Sequence, residues 1–270
     1  MKKVLFLLAA AVLCASCEKA VFNDIEDEGG AEYPVYGKVK KFTFTLKGDF
    51  SDEWKPVTRA YLNADGKDLT DVWVLDYMDG NIVQQLHQSD NTAEDFGQPV
   101  MNLSYGTHHV YFIASRGTDA VLDTENHLIK FGKVLDTFYK DYEVSVVSTT
   151  NGNRAVTLDR IVTRLRLTFT DAISADAATI NFAPHTWYYG WDYIAGEPAD
   201  AKTDQTVTIT IPDSEKGNTG VQANLFGFST AAEWTTNVAI NSKASSNTII
   251  GQASITSAPF KANRITEYSG

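Results

Sequence analysis

The stretch LDRIVTRLRLTFTD, residues 158–171, indicates most clearly which fold this chain adopts. Apolar residues and one threonine occupy every second position from Ile161 to Phe169, while Arg164 and Arg166 lie between them. A repeat of two residues is typical of a β-strand with one face in a core, whereas a helix repeats every 3.6 residues. The stretch therefore predicts a long strand that buries one face.

The same alternation recurs along the chain in both directions. Residues 38–50, KVKKFTFTLKGDF, place three apolar side chains on one face, and residues 205–212, QTVTITIP, do the same. Asp79-Gly80 separates two further strand patterns and predicts a two-residue hairpin turn. Residues 127–142, HLIKFGKVLDTFYKDY, have some helical character over about ten residues, and residues 89–98 are either a polar loop or a short helix. Many short strands between turns favour an all-β chain built as β-sandwiches.

The length of the chain allows two medium-sized domains. It has 270 residues, and domains cluster near about 100–150 residues. The polar stretch STTNGNRAV, residues 148–156, is the best candidate linker. We therefore predict two tandem antiparallel β-sandwich domains, at 38–150 and 151–270.

The N-terminus carries the signals of an exported lipoprotein. Two lysines, an apolar run and small residues precede Cys17, and the run is shorter than the roughly 20 residues that span a bilayer. The sequence CASC at 14–17 resembles the bacterial lipobox, which implies removal of residues 1–16 and acylation of Cys17. Both cysteines of the chain lie in this region. We expect a covalent lipid on Cys17 and no other cofactor.

Residues 17–37 are acidic and poor in core residues, which predicts a flexible tether between the lipid and the folded part. Acidic residues behind a lipidated cysteine resemble the surface-export signal of Bacteroidetes lipoproteins. The net charge of −11 argues against nucleic acid as a partner, because phosphates require a basic face. We expect a protein that its lipid holds at the outer membrane and that is exposed on the cell surface.

No group of residues in the sequence predicts catalysis or metal binding. His108 and His109 are adjacent, so in a strand they point to opposite faces and cannot bind one ion together. The other histidines lack the spacing of zinc ligands. Ser104 and Ser115 lack the Gly-x-Ser-x-Gly elbow of a hydrolase. We therefore expect a protein that is not an enzyme and holds no metal.

The stretch HTWYYGWDYIAG, residues 185–196, is the densest aromatic cluster of the chain. One interpretation is a stacking surface for sugar rings, since Trp and Tyr dominate binding hot spots. The other, which we favour, is a segment that packs at one end of the second sandwich with its polar atoms outward. The candidate glycan-binding residues are Trp187, Tyr188, Tyr189 and Trp191.

Three motifs resemble a known family. They are LTDVWVLDYMDGNIV at 69–83, LDRIVTRLRLTFTD at 158–171 and FKANRITEYSG at 260–270. All three resemble the FimB-type fimbrial anchors, within the fimbrillin superfamily of Bacteroidetes cell-surface lipoproteins, and the resemblance runs from about residue 38 to 270. It implies two transthyretin-like sandwiches and a part in a pilus whose subunits exchange strands.

The resemblance leaves two fimbrial roles open. An anchor keeps its lipid and its first strand, whereas a polymerising pilin is cut after an arginine that follows that strand. Arg59, in PVTRAYL, is a candidate for such a cut, although it is equally an ordinary loop residue. The strand motifs favour the anchor, with pilin or other fimbrial subunits as partners. A glycan-binding surface lipoprotein is the third possibility.

The C-terminal region is the predicted docking site for a fimbrial subunit. Members of the resembled family commonly continue with another strand beyond the position of Gly270, so the chain is either a shortened member or has a second domain that lacks an edge strand. An unpaired edge invites a strand from a partner. The region is 259–270, and its candidate partner-binding residues are Phe260, Asn263, Arg264 and Tyr268.

Overall fold

The computed structural model describes residues 38–48, 69–117, 120–228, 230, 233–259 and 261–270. Several predictions lie outside these ranges. They concern the leader with Cys17, the tether at 17–37, the candidate cleavage site Arg59 and the docking residue Phe260. These remain predictions.

The described residues form an almost entirely β structure, as the alternation predicts. A single-turn 3-10 helix, Asp213–Glu215, accompanies the strands. The strands are β1 (Val39–Lys47), β2 (Asp71–Met78), β3 (Asn81–Gln88), β4 (Val100–Ser104), β5 (Gly106–Ser115), β6 (Val121–Asp123), β7 (Leu128–Lys130), β8 (Thr137–Val146), β9 (Asn153–Thr157), β10 (Asp159–Arg160), β11 (Val162–Phe169), β12 (Ala177–Asp192), β13 (Glu197–Thr210), β14 (Val221–Phe228), β15 (Glu233–Ser242), β16 (Ile249–Pro259) and β17 (Ile265–Ser269).

The local sequence signals explain why these strands form. In β1 the apolar side chains of Phe42, Phe44 and Leu46 are buried, and the residues between them face outward. Asp79 and Gly80 both have positive φ, 50° and 76°, which is the backbone of a type I′ turn between β2 and β3. The predicted hairpin is confirmed.

The first sandwich packs two sheets face to face. A three-stranded sheet, β4-β1-β9, covers a five-stranded sheet, β10-β8-β5-β2-β3. Phe44 and Phe112 meet edge to face in the core, with ring centroids 5.0 Å apart. Aromatic pairs in this geometry add to the stabilisation that burial alone provides.

The second sandwich has the same plan. The sheet β14-β11-β17 covers a larger sheet in which β13, β12, β15 and β16 lie side by side. Leu165 and Leu167 of β11 pack against Ile180, Phe182 and other residues of the larger sheet. The predicted all-β sandwich architecture is confirmed.

The two sandwiches correspond strand by strand. In each, the opening strand (β1 or β11) pairs antiparallel with β4 or β14 and parallel with the closing strand, β9 or β17. The larger sheets also match, because the order β3-β2-β5-β8 repeats as β13-β12-β15-β16. The parallel pairs are a departure from the purely antiparallel sheets that we expected. One strand of the first sandwich, β10, has no counterpart among the described strands of the second.

Strand pairing also differs from the predicted division at residue 150. The expected linker at 148–156 contains most of β9, which pairs with β1, and β10 then pairs with β8. The hairpin of β6 and β7 lies between β5 and β8 in sequence but joins β12 of the second sandwich.

The helix expected within 127–142 is wrong, because those residues form β7, a turn and the start of β8. Tertiary pairing outweighs the weak helical pattern there.

A third apolar cluster joins the two sandwiches. It combines Leu75, Tyr77 and Tyr111 from the first sandwich with Trp191 and Tyr193 from the second. The β6–β7 hairpin contributes Ile129 to the same cluster. The sandwiches therefore share buried apolar surface and are not linked by the chain alone.

Candidate functional site

A largely apolar groove lies between the edges of the two sheets of the second sandwich, along β16 and β17. Its volume is about 510 Å³. The core residues Leu167, Ile173 and Ile255 form part of its lining, although each is buried. Ile250 and Tyr268 flank it and are 41% and 37% exposed. We call this feature the edge groove.

Small side chains on β16 create the edge groove. Val238 and Ile240 of β15 pair with Ala253 and Gly251 of β16, and partners in a sheet share a face. Val238 belongs to the core, so Gly251 and Ala253 also face inward. Glycine has no side chain and alanine has only a methyl group, so these two positions fill very little of the space on the inner face of the sheet. The inner face of the sandwich is consequently left uncovered beside β16.

The corresponding side of the first sandwich is closed by the chain itself. Between β9 and β10 the chain crosses from one sheet to the other, and Leu158 is buried at the crossing, with its N–H donating to the carbonyl of Lys47 at 2.7 Å. There β10 pairs with β8. Among the described residues no strand takes this place beside β16. The edge groove thus lies where the first sandwich has a strand.

The opposite edge of the larger sheet is protected in a different way. Strand β13 is mostly exposed and carries Asp200, Lys202 and Asp204. Both aspartates have positive φ, and the pairing of β13 with β12 contains register shifts. Charged side chains and bulges discourage pairing with another chain. Between Gly251 and Ser254, the edge strand β16 carries no charged side chain, and its pairing with β15 contains no register shift.

In the structure, the predicted docking residues of the C-terminal region make different contacts and do not form one group. Tyr268 lines the edge groove, as a docking role requires. Asn263 is exposed and serves a different contact, because its side-chain oxygen accepts a hydrogen bond from Arg160 at 3.1 Å. The carbonyl of Arg264 accepts bonds from the Arg164 N–H and the Thr163 hydroxyl. Asn263 and the backbone of Arg264 therefore hold β17 against β11.

The aromatic segment at 185–196 lies mainly inside the molecule. Trp187 and Trp191 are each only 6% exposed, so their faces are covered by protein. The indole N–H of Trp187 donates to the carbonyl of Gln205 at 3.0 Å. Tyr188 and Tyr189 are half-buried, and Lys202 lies over the Tyr189 ring at 4.5 Å. This burial favours the packing interpretation of the segment over a sugar-stacking surface.

Three residues near the β4–β5 turn lie in an order that resembles a catalytic triad. Nδ1 of His108 is 2.7 Å from Oδ1 of Asp76, and Nε2 is 3.3 Å from the Ser104 hydroxyl. Nε2 is closer to the Ser104 carbonyl oxygen, at 2.9 Å, and a carbonyl can only accept. Both ring nitrogens therefore donate, and the imidazole is charged.

The pKa of His108 agrees with this assignment. Burial by itself lowers the pKa, but the hydrogen bond and charge of Asp76 and the bond to the Ser104 carbonyl raise it above 6.5 overall. A protonated histidine cannot take the serine proton, which a Ser-His-Asp triad requires. This cluster is a buried ion pair that braces the β4–β5 turn. His109, as expected, points to the opposite, exposed face.

Within the described ranges, no group of three or more His, Cys, Asp or Glu side chains is arranged to hold a metal ion. In the same ranges no helix is both long and apolar enough to cross a membrane.

Known proteins resemble this chain in structure but not in sequence. No family model and no curated protein matches it. A candidate cell adhesion protein of Bacteroides fragilis matches with a TM-score of 0.52 and 11% identity, over 84% of this chain and 92% of that one. A candidate adhesin of Bacteroides ovatus has a TM-score of 0.51 and 15% identity, over 80% and 76%. The fimbrial anchor protein Mfa2 of Porphyromonas gingivalis has a TM-score of 0.47 and 7% identity, over 81% and 83%.

At this level of identity, the two Bacteroides matches establish the fold. The sequence did not single out Gly251, Ala253 or Ile250 as functional. A signal for them exists, because the strand at 249–259 places glycine and alanine at positions where its neighbours place core residues. This signal can be recognised only when the pairing register between β16 and β15 is known.

Proposed function

We propose that this chain is a non-enzymatic, lipid-anchored protein of the cell surface, and that it acts as a fimbrial anchor or accessory subunit. Its edge groove accepts an extended strand from a fimbrial subunit. The named roles of the two Bacteroides matches, adhesin and cell adhesion protein, support a role at the cell surface.

The observation that carries this proposal is the position of the edge groove. A strand placed beside β16 would take the place that β10 takes in the first sandwich, and it would pair with the backbone groups along that edge. Its apolar side chains would enter the space above Gly251 and Ala253. Asp171 is the one charged residue among the described residues of the lining, so an apolar strand fits the groove better than a charged one.

The alternative fimbrial role is that of a polymerising pilin cut after Arg59. The predicted lipid on Cys17 and the likeness of the strand motifs to the anchor branch favour the anchor. The burial of Trp187 and Trp191 argues against a glycan-binding role for that segment.

Mass spectrometry of the protein purified from its native cells separates the anchor from the pilin. We expect an N-terminal peptide that begins at Cys17 and carries acyl chains, because the predicted leader ends just before that residue. A mature N-terminus at Ala60 would instead identify a processed pilin. An unmodified Cys17 in a freely soluble protein would contradict the anchoring.

Filling the edge groove tests the docking of a strand. In the Ala253→Phe variant the new ring occupies the groove from within, so we expect binding of fimbriae sheared from the native cells to fall at least about tenfold. The loss of a docked strand removes several hydrogen bonds and apolar contacts, and about 1.4 kcal/mol already corresponds to tenfold. Surface plasmon resonance with the immobilised full-length chain measures the binding.

The matched control is Thr256→Phe, which places the same ring on the outward face of β16, next to the buried Ile255 and outside the lining of the groove. We expect this variant to bind fimbriae within about twofold of the natural chain, since it leaves the groove open. Equal binding by Ala253→Phe and the natural chain, with both folded, would refute docking in the edge groove.

A further inference from the structure

The outer face of the second sandwich carries an ordered grid of side chains. Pairing between strands brings Thr208, Asn181, Ala239 and Gln252 into one row across β13, β12, β15 and β16. Thr179, Asn241 and Ile249 form part of the next row, and Asn237 and Ser254 part of a third. These residues alternate with core residues such as Phe182 and Val238, so they face away from the core.

A trough runs through this grid. The small side chains of Ala183 and Ala239 lie between longer side chains and form the floor of the trough. The cavity has a volume of about 720 Å³. This size is within the range of about 300–1,000 Å³ that is typical of small-ligand sites. We call the feature the amide trough. Its polar walls are Asn181, Thr206, Asn237, Asn241, Gln252 and Ser254.

The amide trough contains no charged side chain among its described lining residues. The chain as a whole is 21% charged, and the strand β8 carries Lys140, Asp141 and Glu143 within four residues. An uncharged wall of amides and hydroxyls offers hydrogen-bond donors and acceptors side by side. Such a surface suits a neutral ligand with many hydroxyl groups better than an anion or a cation.

Hydrogen bonds hold part of the trough in place. The Asn181 amide donates to Oδ1 of Asn241 at 2.8 Å, and its oxygen accepts from the Thr208 hydroxyl at 2.7 Å. Asn241 in turn donates to the carbonyl of Ser246. Side chains fixed before binding lose little conformational entropy when a ligand arrives.

Other groups in the trough are open to a ligand. Oδ1 of Asn237 accepts a bond from Ser254 at 2.7 Å, whereas within the described residues its NH₂ group has no partner. The Gln252 amide also has none there and is exposed. Ile249, 55% exposed, adds an apolar surface at one end of the trough. Strands are about 4.8 Å apart, a distance comparable to the length of one pyranose ring, so neighbouring strands can contact successive rings.

We infer that the amide trough binds a neutral oligosaccharide. Asn237 and Gln252 donate to its hydroxyl groups, and Ile249 packs against the C–H face of a ring. This site lies on the opposite face of β16 from the edge groove, and it does not use the aromatic segment at 185–196. The inference is independent of the fimbrial role.

Native affinity electrophoresis tests the inference with the full-length chain in non-ionic detergent. The gels contain mannan, dextran or laminarin as neutral polysaccharides, or polygalacturonate as an anionic one. We expect at least one neutral polysaccharide to retard the chain and polygalacturonate to have no effect. In the double variant Asn237→Ala, Gln252→Ala we expect the apparent association constant to fall at least about tenfold, because two hydrogen bonds are lost.

The matched control is Gln222→Ala on β14, an exposed polar position of the other sheet. It should bind like the natural chain. Circular dichroism verifies that all variants are folded, as expected for exposed positions. Retardation only by polygalacturonate, no retardation by any neutral polysaccharide, or equal retardation of the double variant would each overturn the inference.

Discussion

Replacing Asp136 with asparagine is expected to lower the free energy of unfolding by about 3–5 kcal/mol, because the change leaves a buried guanidinium without its counter-charge. Nε and Nη2 of Arg160 donate to the two carboxylate oxygens of Asp136 at 2.7 Å and 3.0 Å. The side chains of Arg160 and Asp136 are only 1% and 4% exposed. The neutral amide of the asparagine could accept one of these bonds but could not neutralise Arg160.

The expected effect is large because Arg160 connects several elements. Its guanidinium lies over the Phe138 ring, with the central carbon 4.7 Å from the ring centroid. Its remaining nitrogen donates to Asn263, which precedes β17 of the second sandwich. Loss of the charge pair therefore weakens the first sandwich and the attachment of the C-terminal strand together.

Urea-induced unfolding at pH 7, followed by tryptophan fluorescence, measures the change. The matched control is Asp159→Asn, because Asp159 pairs with Lys140 at 3.0 Å but is 69% exposed. Exposed pairs contribute little, so the control should not shift the midpoint resolvably. The double change Asp136→Asn, Arg160→Met should recover part of the loss, since it removes the unpaired charge. Equal shifts for Asp136→Asn and Asp159→Asn would contradict this account of the junction.

Replacing Tyr193 with alanine is the second large change, with an expected loss of about 3–5 kcal/mol, as for other large buried aromatic residues. Tyr193 is fully buried, and its hydroxyl lies 2.8 Å from that of Tyr77 in the first sandwich. Burial, followed by the hydrogen bond to Tyr77, raises the pKa of Tyr193, so the hydroxyl stays neutral. Its ring also packs near Tyr111, with centroids 5.6 Å apart.

Because Tyr193 joins the two sandwiches, its loss should also separate their unfolding. We expect calorimetry of the natural chain to show one transition and that of Tyr193→Ala to show two. The Tyr193→Phe variant keeps the ring and leaves the Tyr77 hydroxyl without this partner, so a smaller loss of about 1–3 kcal/mol is expected. Ile194→Ala, at a position 41% exposed, serves as the control. A single unshifted transition for Tyr193→Ala would show that Tyr193 neither stabilises the sandwiches nor couples their unfolding.

Local patterns in the sequence determined the strands and their faces. The alternation in β1 and β11, and the Asp79-Gly80 turn, required only the pleat of a strand and the freedom of glycine at positive φ. The same alternation correctly placed His108 and His109 on opposite faces. These properties depend on neighbours within a few residues, so one sequence suffices to predict them.

The tertiary structure alone decided which strands meet. The parallel pairing of β11 with β17, the transfer of the β6–β7 hairpin to β12 and the contact of Arg160 with Asn263 all join residues far apart in the chain. The edge groove and the amide trough follow from the same choice, because the register between β15 and β16 decides which side of β16 carries Gly251 and which carries Gln252. A local period fixes that two faces differ, but the burial of a shared core fixes which face is turned inward.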